Sequence, residues 1–135
     1  VWLDKLATLV QNELKQYPNL VVLGDFNIAP EDRDVHDPAV WKDKVLCSAP
    51  ERHAIRRLLD LGLNDTIRIF EQGREGFSWW DYRLNAFRRN FGLRIDLILA
   101  SNAVAKVCMA SRIDKAPRGW DRPSDHAPVL AEFSI

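Results

Sequence analysis

Residues 20–27 read LVVLGDFN. Residues 20–23 are apolar enough for a buried strand, and Gly24, Asp25, Phe26 and Asn27 close it, delivering one carboxylate and one carboxamide to the strand end. On extended backbone alternate side chains share a face, so Asp25 and Asn27 point together while Phe26 points back into the core. Pairs of this kind hold metals and waters. The plain alternative is a turn, since Asx side chains readily bond nearby backbone. A second polar cluster, Ser124, Asp125 and His126, stands before the apolar run 127–133. Two such strand ends can converge on one site.

Working outward, residues 1–17 place Leu3, Leu6, Val10 and Leu14 at helical spacing, with Asp4, Lys5, Gln11, Glu13 and Lys15 outward and Tyr17 and Pro18 as the stop. Residues 29–38 carry two prolines and many acids and read as a loop. Pro50 and Glu51 open a helix that runs to Leu61 and ends at Gly62. The β-branched stretch 66–70 predicts a strand, Gly73 and Gly76 bracket a hairpin-like turn, and the aromatic run 77–82 predicts another strand leading into a surface segment, 83–90. Leu93, Ile95, Leu97 and Leu99 alternate with Arg94, Asp96 and Ile98 in a near-continuous strand. Ser101 and Asn102 cap a short helix, and strands at 107–113 and 127–133 flank the loop 114–125. One helix followed by strands with short connections predicts an α/β (α+β) domain with a mostly antiparallel mixed sheet and helices on one face.

The chain has 135 residues, 47% of them hydrophobic, which is one domain in size and enough apolar material to bury roughly two-thirds of the unfolded surface. Lys plus Arg and Asp plus Glu number 19 each, so net charge offers no argument for a nucleic-acid or membrane partner and local clusters must supply it. Cys47 and Cys108 share no metal-ligand spacing and read as reduced thiols. No stretch approaches the roughly 18 apolar residues that span a bilayer, and no leader pattern opens the chain. The expectation is a cytoplasmic protein with no membrane partner. The helical pattern is already running at Val1, so the chain reads as a piece of something longer.

Asp96 lies in the most apolar stretch and, as a buried carboxylate, needs a cation or donor. Arg94 on the same strand is the plain candidate. His126 is the other, because an aspartate that holds an imidazole fixes its tautomer. Asp125 and His126, adjacent on extended backbone, point to opposite sides and can serve a metal and a substrate, or simply cap the strand. His53 sits among arginines on a helix and reads as solvent-facing; His36, in the acidic loop, has no ligand spacing to anything. Phe77, Trp79, Trp80 and Tyr82 suit a half-buried strand. Arg83, Arg88, Arg89 and Arg94 border that aromatic run, and Arg112, Lys115, Arg118 and Arg122 form a second basic cluster, an arrangement compatible with stacking and phosphate contacts to nucleic acid.

GDFN at 24–27, FSWWDYR at 77–83, RIDLIL at 94–99 and SDHAPV at 124–129 stand in the order found in bacterial exonuclease III, and the chain resembles the C-terminal half of that family of apurinic/apyrimidinic endonucleases, within the endonuclease/exonuclease/phosphatase superfamily. The loop NIAPEDRDVHDP, 27–38, resembles the bacterial branch. The resemblance implies that residues 1–135 are the C-terminal part of one domain, half of a four-layer α/β sandwich, with an N-terminal half absent. It implies that Asp25 orients or deprotonates the attacking water, that Asn27 contacts phosphate or metal-bound water, and that Asp96 orients His126, which stabilises charge on a phosphate oxygen. Asp125 would lie in the shell of a Mg²⁺ ion, or Mn²⁺ in its place, with Asp25, Asn27 and His126 as further ligands. Trp79, Leu93 and Ile95 match positions forming a pocket for an extrahelical abasic sugar, with Arg83 beside them.

The implied activity is Mg²⁺-dependent cleavage of duplex DNA 5′ to abasic sites, accompanied by 3′–5′ exonuclease and 3′-phosphatase action on 3′ ends in base-excision repair. The family's principal metal glutamate and catalytic tyrosine belong to the half that is absent. A competing expectation is therefore a noncatalytic fragment that binds DNA or a partner half, and a third is a phosphatase of small phosphoesters. An apolar sheet face left open by the absent half predicts self-association.

Overall fold

In the computed structural model, which describes residues 2–70 and 76–135, α1 (Trp2–Gln16) leads through Pro18 into β1 (Val21–Asp25). A loop with one 3-10 turn at Asp32–Asp34 precedes α2 (Pro38–Trp41) and α3 (Ala49–Asp60). Then follow β2 (Leu63–Asp65), α4 (Thr66–Phe70), β3 (Trp79–Trp80), β4 (Gly92–Leu93), β5 (Asp96–Ser101), α5 (Asn102–Ala105), β6 (Cys108–Ile113) and β7 (Val129–Phe133). Among the described residues every ladder is antiparallel, and the strands form three sheets, β1-β5-β2, β3-β4 and β6-β7, where the sequence predicted one mixed sheet. The class is mixed α/β, as expected.

α3 begins where the sequence says it should. Ser48 Oγ accepts from Glu51 N–H at 3.4 Å and a Glu51 carboxylate oxygen accepts from Ser48 N–H at 3.3 Å, a reciprocal cap that satisfies two otherwise orphaned donors. α1 and α3 bury Ala7, Val10, Ile55 and Leu58 against Leu97 and Leu99 of β5 and Phe26 beyond β1. Each fully buried leucine contributes roughly 1.5–3 kcal/mol. Because side chains alternate, the opposite face of the same sheet carries Val21, Leu23 and Asp25, in register with Ala100, Ile98 and Asp96. Leu23 is 67% exposed.

Several local expectations are corrected, each for a tertiary reason. Residues 66–70 form α4, where β-branching predicted a strand; the strand is instead β2, whose Asp65 is held by Arg94 and which pairs with the edge of β5. The predicted strand 77–82 narrows to Trp79–Trp80, because Asp81 Oδ1 accepts from Arg83 N–H at 3.1 Å and turns the chain. The predicted continuous strand breaks at Arg94 and Ile95. There Arg94 N–H donates to Asp34 O at 2.8 Å, and the N–H groups of Ile95 and Asp96 donate to Ser78 Oγ at 3.0 and 3.1 Å. Ser101 stands at the N-cap of α5, but its hydroxyl donates to Pro18 O and accepts from Leu20 N–H, joining the end of β5 to the entry of β1. The expected turn at Gly73 lies outside the described residues.

Candidate active site

Asp25 and Asp96 are directly opposite each other in the last register pair of the β1–β5 ladder. Like charges placed so are mutually destabilising. The imidazole of His126 lies beside both: Nδ1 is 2.8 Å from Asp96 Oδ2, and Nε2 is 3.7 Å from Asp25 Oδ2 and 3.9 Å from Asp125 Oδ1. The Asp96 partner is thus His126 and not Arg94. With Nδ1–H donated to Asp96, Nε2 is the nitrogen that faces the other two acids.

Backbone pairing brings His126 there. Residues 125–127 run antiparallel to β3: Trp79 bridges His126, Trp80 N–H donates to Asp125 O at 3.1 Å, and Ala127 N–H donates to Ser78 O at 2.8 Å. Trp79 Nε1–H also donates to Asp125 Oδ2 at 3.0 Å, which leaves Oδ1 on the His126 side. Asp125 and His126 therefore share one site, although adjacent residues on extended backbone would point apart.

The tetrad is both a turn and a site. Asp25 Oδ1 accepts from Asn27 N–H at 2.8 Å, while Oδ2 faces His126. Gly24 has φ 144°, a conformation L-residues rarely adopt, and Asn27 has φ 54°, which asparagine tolerates better than most. The simple alternation expected from 25 to 27 stops at that turn. Phe26 is buried, as expected, and Asp25 and Asn27 are both exposed.

Burial works against the charged imidazole of His126, but the Asp96 hydrogen bond and the charges of Asp96, Asp25 and Asp125 outweigh it and raise its pKa. Burial also raises the Asp96 pKa; the hydrogen bonds from His126 and Ser78 pull it down only in part. The result is an imidazole biased toward the cation, beside two partly exposed carboxylates.

Asp25, Asp96 and His126 offer ligand atoms within 4.8 Å of one another. Asp96 Oδ2 and His126 Nδ1 already share a hydrogen bond, so the atoms open to a hard cation are Asp25 Oδ2 and Asp125 Oδ1. Mg²⁺ commonly takes one or two carboxylates and completes its shell with water and phosphate oxygens. Carboxylate oxygens on the Nε2 side of the ring are a donor set whose chemistry fits such an ion.

Of the expected sugar pocket, Trp79 is half-buried, Arg83 is exposed and ion-paired with Asp81 at 2.9 Å, and Leu93 and Ile95 are buried. Leu93 and Ile95 lie in an apolar cluster with Ala29, Val35 and Cys47, covered by Trp41, Leu46 and Trp79. Only Trp79 and Arg83 of the four present surface in this chain. The aromatic border is corrected as well. Arg94 is buried, its guanidinium bonded to Asp34 Oδ1 at 2.7 Å and to both Asp65 oxygens at 3.0 and 2.6 Å; those acids outweigh burial and hold its pKa above the usual arginine value. Arg68 also bonds Asp34. Arg118 is buried too, donating to Trp80 O at 3.2 Å with its guanidinium carbon over Tyr82 and Phe87. Arg83, Arg88, Arg89, Arg112, Lys115 and Arg122 remain exposed. His36 stacks on Phe91 with ring centroids 4.8 Å apart, and His53 is solvent-facing, as expected.

Two features escaped the sequence reading. Asp34 and Asp65 anchor the buried arginine, and the clue was an arginine in an apolar run, which demands acids from elsewhere. Ser78 supports the strand break, and the clue was a small polar residue inside an aromatic run.

Residues 1–126 match the Endonuclease/Exonuclease/phosphatase family. The chain is 40% identical over 135 residues to exodeoxyribonuclease III of Haemophilus influenzae, covering 95% of this chain and 51% of that protein. It superposes on the 3′ phosphatase NExo from Neisseria, solved bound to product DNA hairpin, with TM-score 0.96 and 46% identity over 99% of this chain and 52% of that one. An AP endonuclease from Archaeoglobus fulgidus is similar at TM-score 0.87 and 33% identity, over 99% of this chain and 52% of that one. The chain spans about half the length of these relatives.

Proposed function

The chain belongs to the Endonuclease/Exonuclease/phosphatase family, and from that premise we propose that its site serves a divalent-metal-dependent DNA phosphodiesterase of base-excision repair, cutting duplex DNA 5′ to abasic sites and processing 3′ ends. Residues 1–135 are read as the C-terminal part of a single domain, since the relatives are about twice as long. The observation that carries the proposal is the line Asp25, His126, Asp96, with Asp125 beside it. The relatives' names, exodeoxyribonuclease III, 3′ phosphatase and AP endonuclease, supply the substrate class.

Asp25 Oδ2 accepts the proton of the attacking water, and the Asn27 carboxamide orients that water. His126, protonated, donates from Nε2 to a non-bridging phosphate oxygen as charge grows there. Asp96 holds the ring in register through Nδ1. Water adds to phosphorus in line, the bond to the 3′ oxygen breaks, and that oxygen leaves. A divalent cation, Mg²⁺ or Mn²⁺, held by Asp125 with Asp25, Asn27 and His126 near, would neutralise phosphate charge and stabilise the leaving oxygen. Trp79 and Arg83 give the DNA a stacking surface and a cation.

The test uses the full-length protein on two duplexes, one with a tetrahydrofuran abasic analogue and one with a 3′-phosphate, each with Mg²⁺. Asp25→Asn should lower kcat by roughly 10²–10⁴-fold, the usual range for a general base. Equal cutting by both proteins, or by neither, would sink the proposal. A second reading is favoured by the half-length coverage: the 135-residue chain alone binds DNA or a complementary half without cleaving. Mg²⁺-dependent cleavage by that chain, abolished by His126→Ala, would rule this second reading out.

A further inference from the structure

We propose that Ser78 is a positioning residue that aligns the Asp96–His126 pair, an inference resting on the phosphodiesterase reading of the site. Ser78 is fully buried, between Phe77 and Trp79, and its polar atoms are engaged with the two segments that bear the pair. Its N–H donates to Leu93 O at 2.9 Å, on the Asp96 side of the site. Its carbonyl accepts from Ala127 N–H at 2.8 Å, the residue directly after His126. Its Oγ accepts from the N–H groups of Ile95 and Asp96 at 3.0 and 3.1 Å.

A serine hydroxyl has two lone pairs and one hydrogen. The two amides take the lone pairs. The hydroxyl is thereby fixed on the backbone that carries Asp96. The terminal torsion of an aspartate is soft and broadly two-fold, so a single partner leaves the carboxylate plane loosely defined. The carboxylate meets His126 Nδ1, and the backbone beneath it, held at the Ser78 hydroxyl, sets how it meets the ring. Through its backbone Ser78 ties down the strand bearing His126, and through its hydroxyl it orients the acid that the imidazole meets.

Side-chain identity matters here because an alanine would keep both backbone bonds and lose both hydrogen bonds to the hydroxyl. The Ile95 and Asp96 amides would then lack their acceptor in a buried place, and the Asp96 backbone would be free to shift its carboxylate away from Nδ1. Threonine keeps the hydroxyl. Cysteine keeps the shape but offers a weak donor and a weak acceptor.

The experiment compares the full-length protein with Ser78→Ala, Ser78→Thr, Ser78→Cys and Asp25→Asn. It measures kcat and KM on the abasic-analogue duplex, circular dichroism, and the Nδ1-bound proton of His126 by ¹⁵N-edited NMR without metal. Ser78→Ala should keep its fold and KM, lower kcat about 10- to 100-fold as loss of an outer hydrogen-bond partner typically does, and shift or lose the Nδ1 proton signal. Ser78→Thr should restore both kcat and signal. A folded Ser78→Ala with wild-type kcat and an unmoved Nδ1 proton overturns the inference, as does Ser78→Thr failing as badly as alanine, which would make packing the cause. Should the alanine variant not fold, Ser78→Cys carries the same comparison with the same two outcomes. Asp25→Asn cutting like wild type would sink the phosphodiesterase reading alone, because the NMR comparison judges Ser78 without activity.

Discussion

Two carboxylates face each other at the end of the β1–β5 ladder, and the imidazole beside them is what makes that arrangement tolerable. The pKa of His126 is raised, so the sign of its linkage to stability follows. The stabilisation it lends is fully present below its ordinary value of about 6.5 and is lost as pH rises through the higher folded-state value. In metal-free protein the His126 ring-proton titration should therefore have its midpoint above that of ordinary histidine, and Asp96→Asn should move the midpoint down. A midpoint that Asp96→Asn leaves unmoved would contradict the dyad. The identities of Asp25, Asn27, Asp96, Asp125 and His126 as the polar groups at strand ends were legible from local pattern. The partner of Asp96 was left open by local pattern, which offered Arg94 and His126 alike; the family resemblance implied His126, and the pairing of residues 125–127 with β3 brings it there.

At the scale of elements, the buried group Arg94, Asp34, Asp65 and Arg68 ties the 29–38 loop and β2 to the strand break before β5. Removing one member leaves its partners as uncompensated buried charge, so Arg94→Ala should lower stability by about 3–5 kcal/mol in urea denaturation. β4 owes its approach to Phe77 and Trp80 to Gly92. A Cβ there would stand 2.6 Å from Trp80 Nε1 and 2.8 Å from Phe77 Cβ, and Gly92→Ala should cost about 1–3 kcal/mol by overpacking, read in the same urea experiment. Long elements with clear periodicity, α1 and α3, were readable because the signal repeats over several turns and α3 carries its own cap. The short elements were not. The break at 94–95 is set by Asp65, Asp34 and Ser78, partners distant in sequence, and propensity does not register such contacts.

For the whole molecule, α1 and α3 cover one face of the β1-β5-β2 sheet, and the other face bears Leu23 and the two acids at the edge of a cleft of about 310 Å³ lined by Leu23, Asp25, Asp96, Ile98 and Val129. Val21 and Leu23 of β1 are exposed on that face while Ile98 and Ala100 beside them are buried, and the self-association expected of the chain alone is tested through Leu23. Sedimentation of the 135-residue chain should show species larger than a monomer, and Leu23→Lys should return it to monomer; a wild-type chain monomeric at all concentrations would refute this. Among the described residues no helix is long and apolar enough to cross a membrane. The sequence by itself determined the motifs, their order and thereby the family and the candidate polar groups of the site, because these are short runs whose chemistry is stated by residue type. The tertiary structure alone decided how the imidazole is brought to its acid, that Arg94 and Arg118 are withdrawn from the surface, that Leu93 and Ile95 are covered, and that Ser78 underlies the pair. Each of these depends on what lies opposite in space, and burial and pairing are properties of the folded chain rather than of any segment.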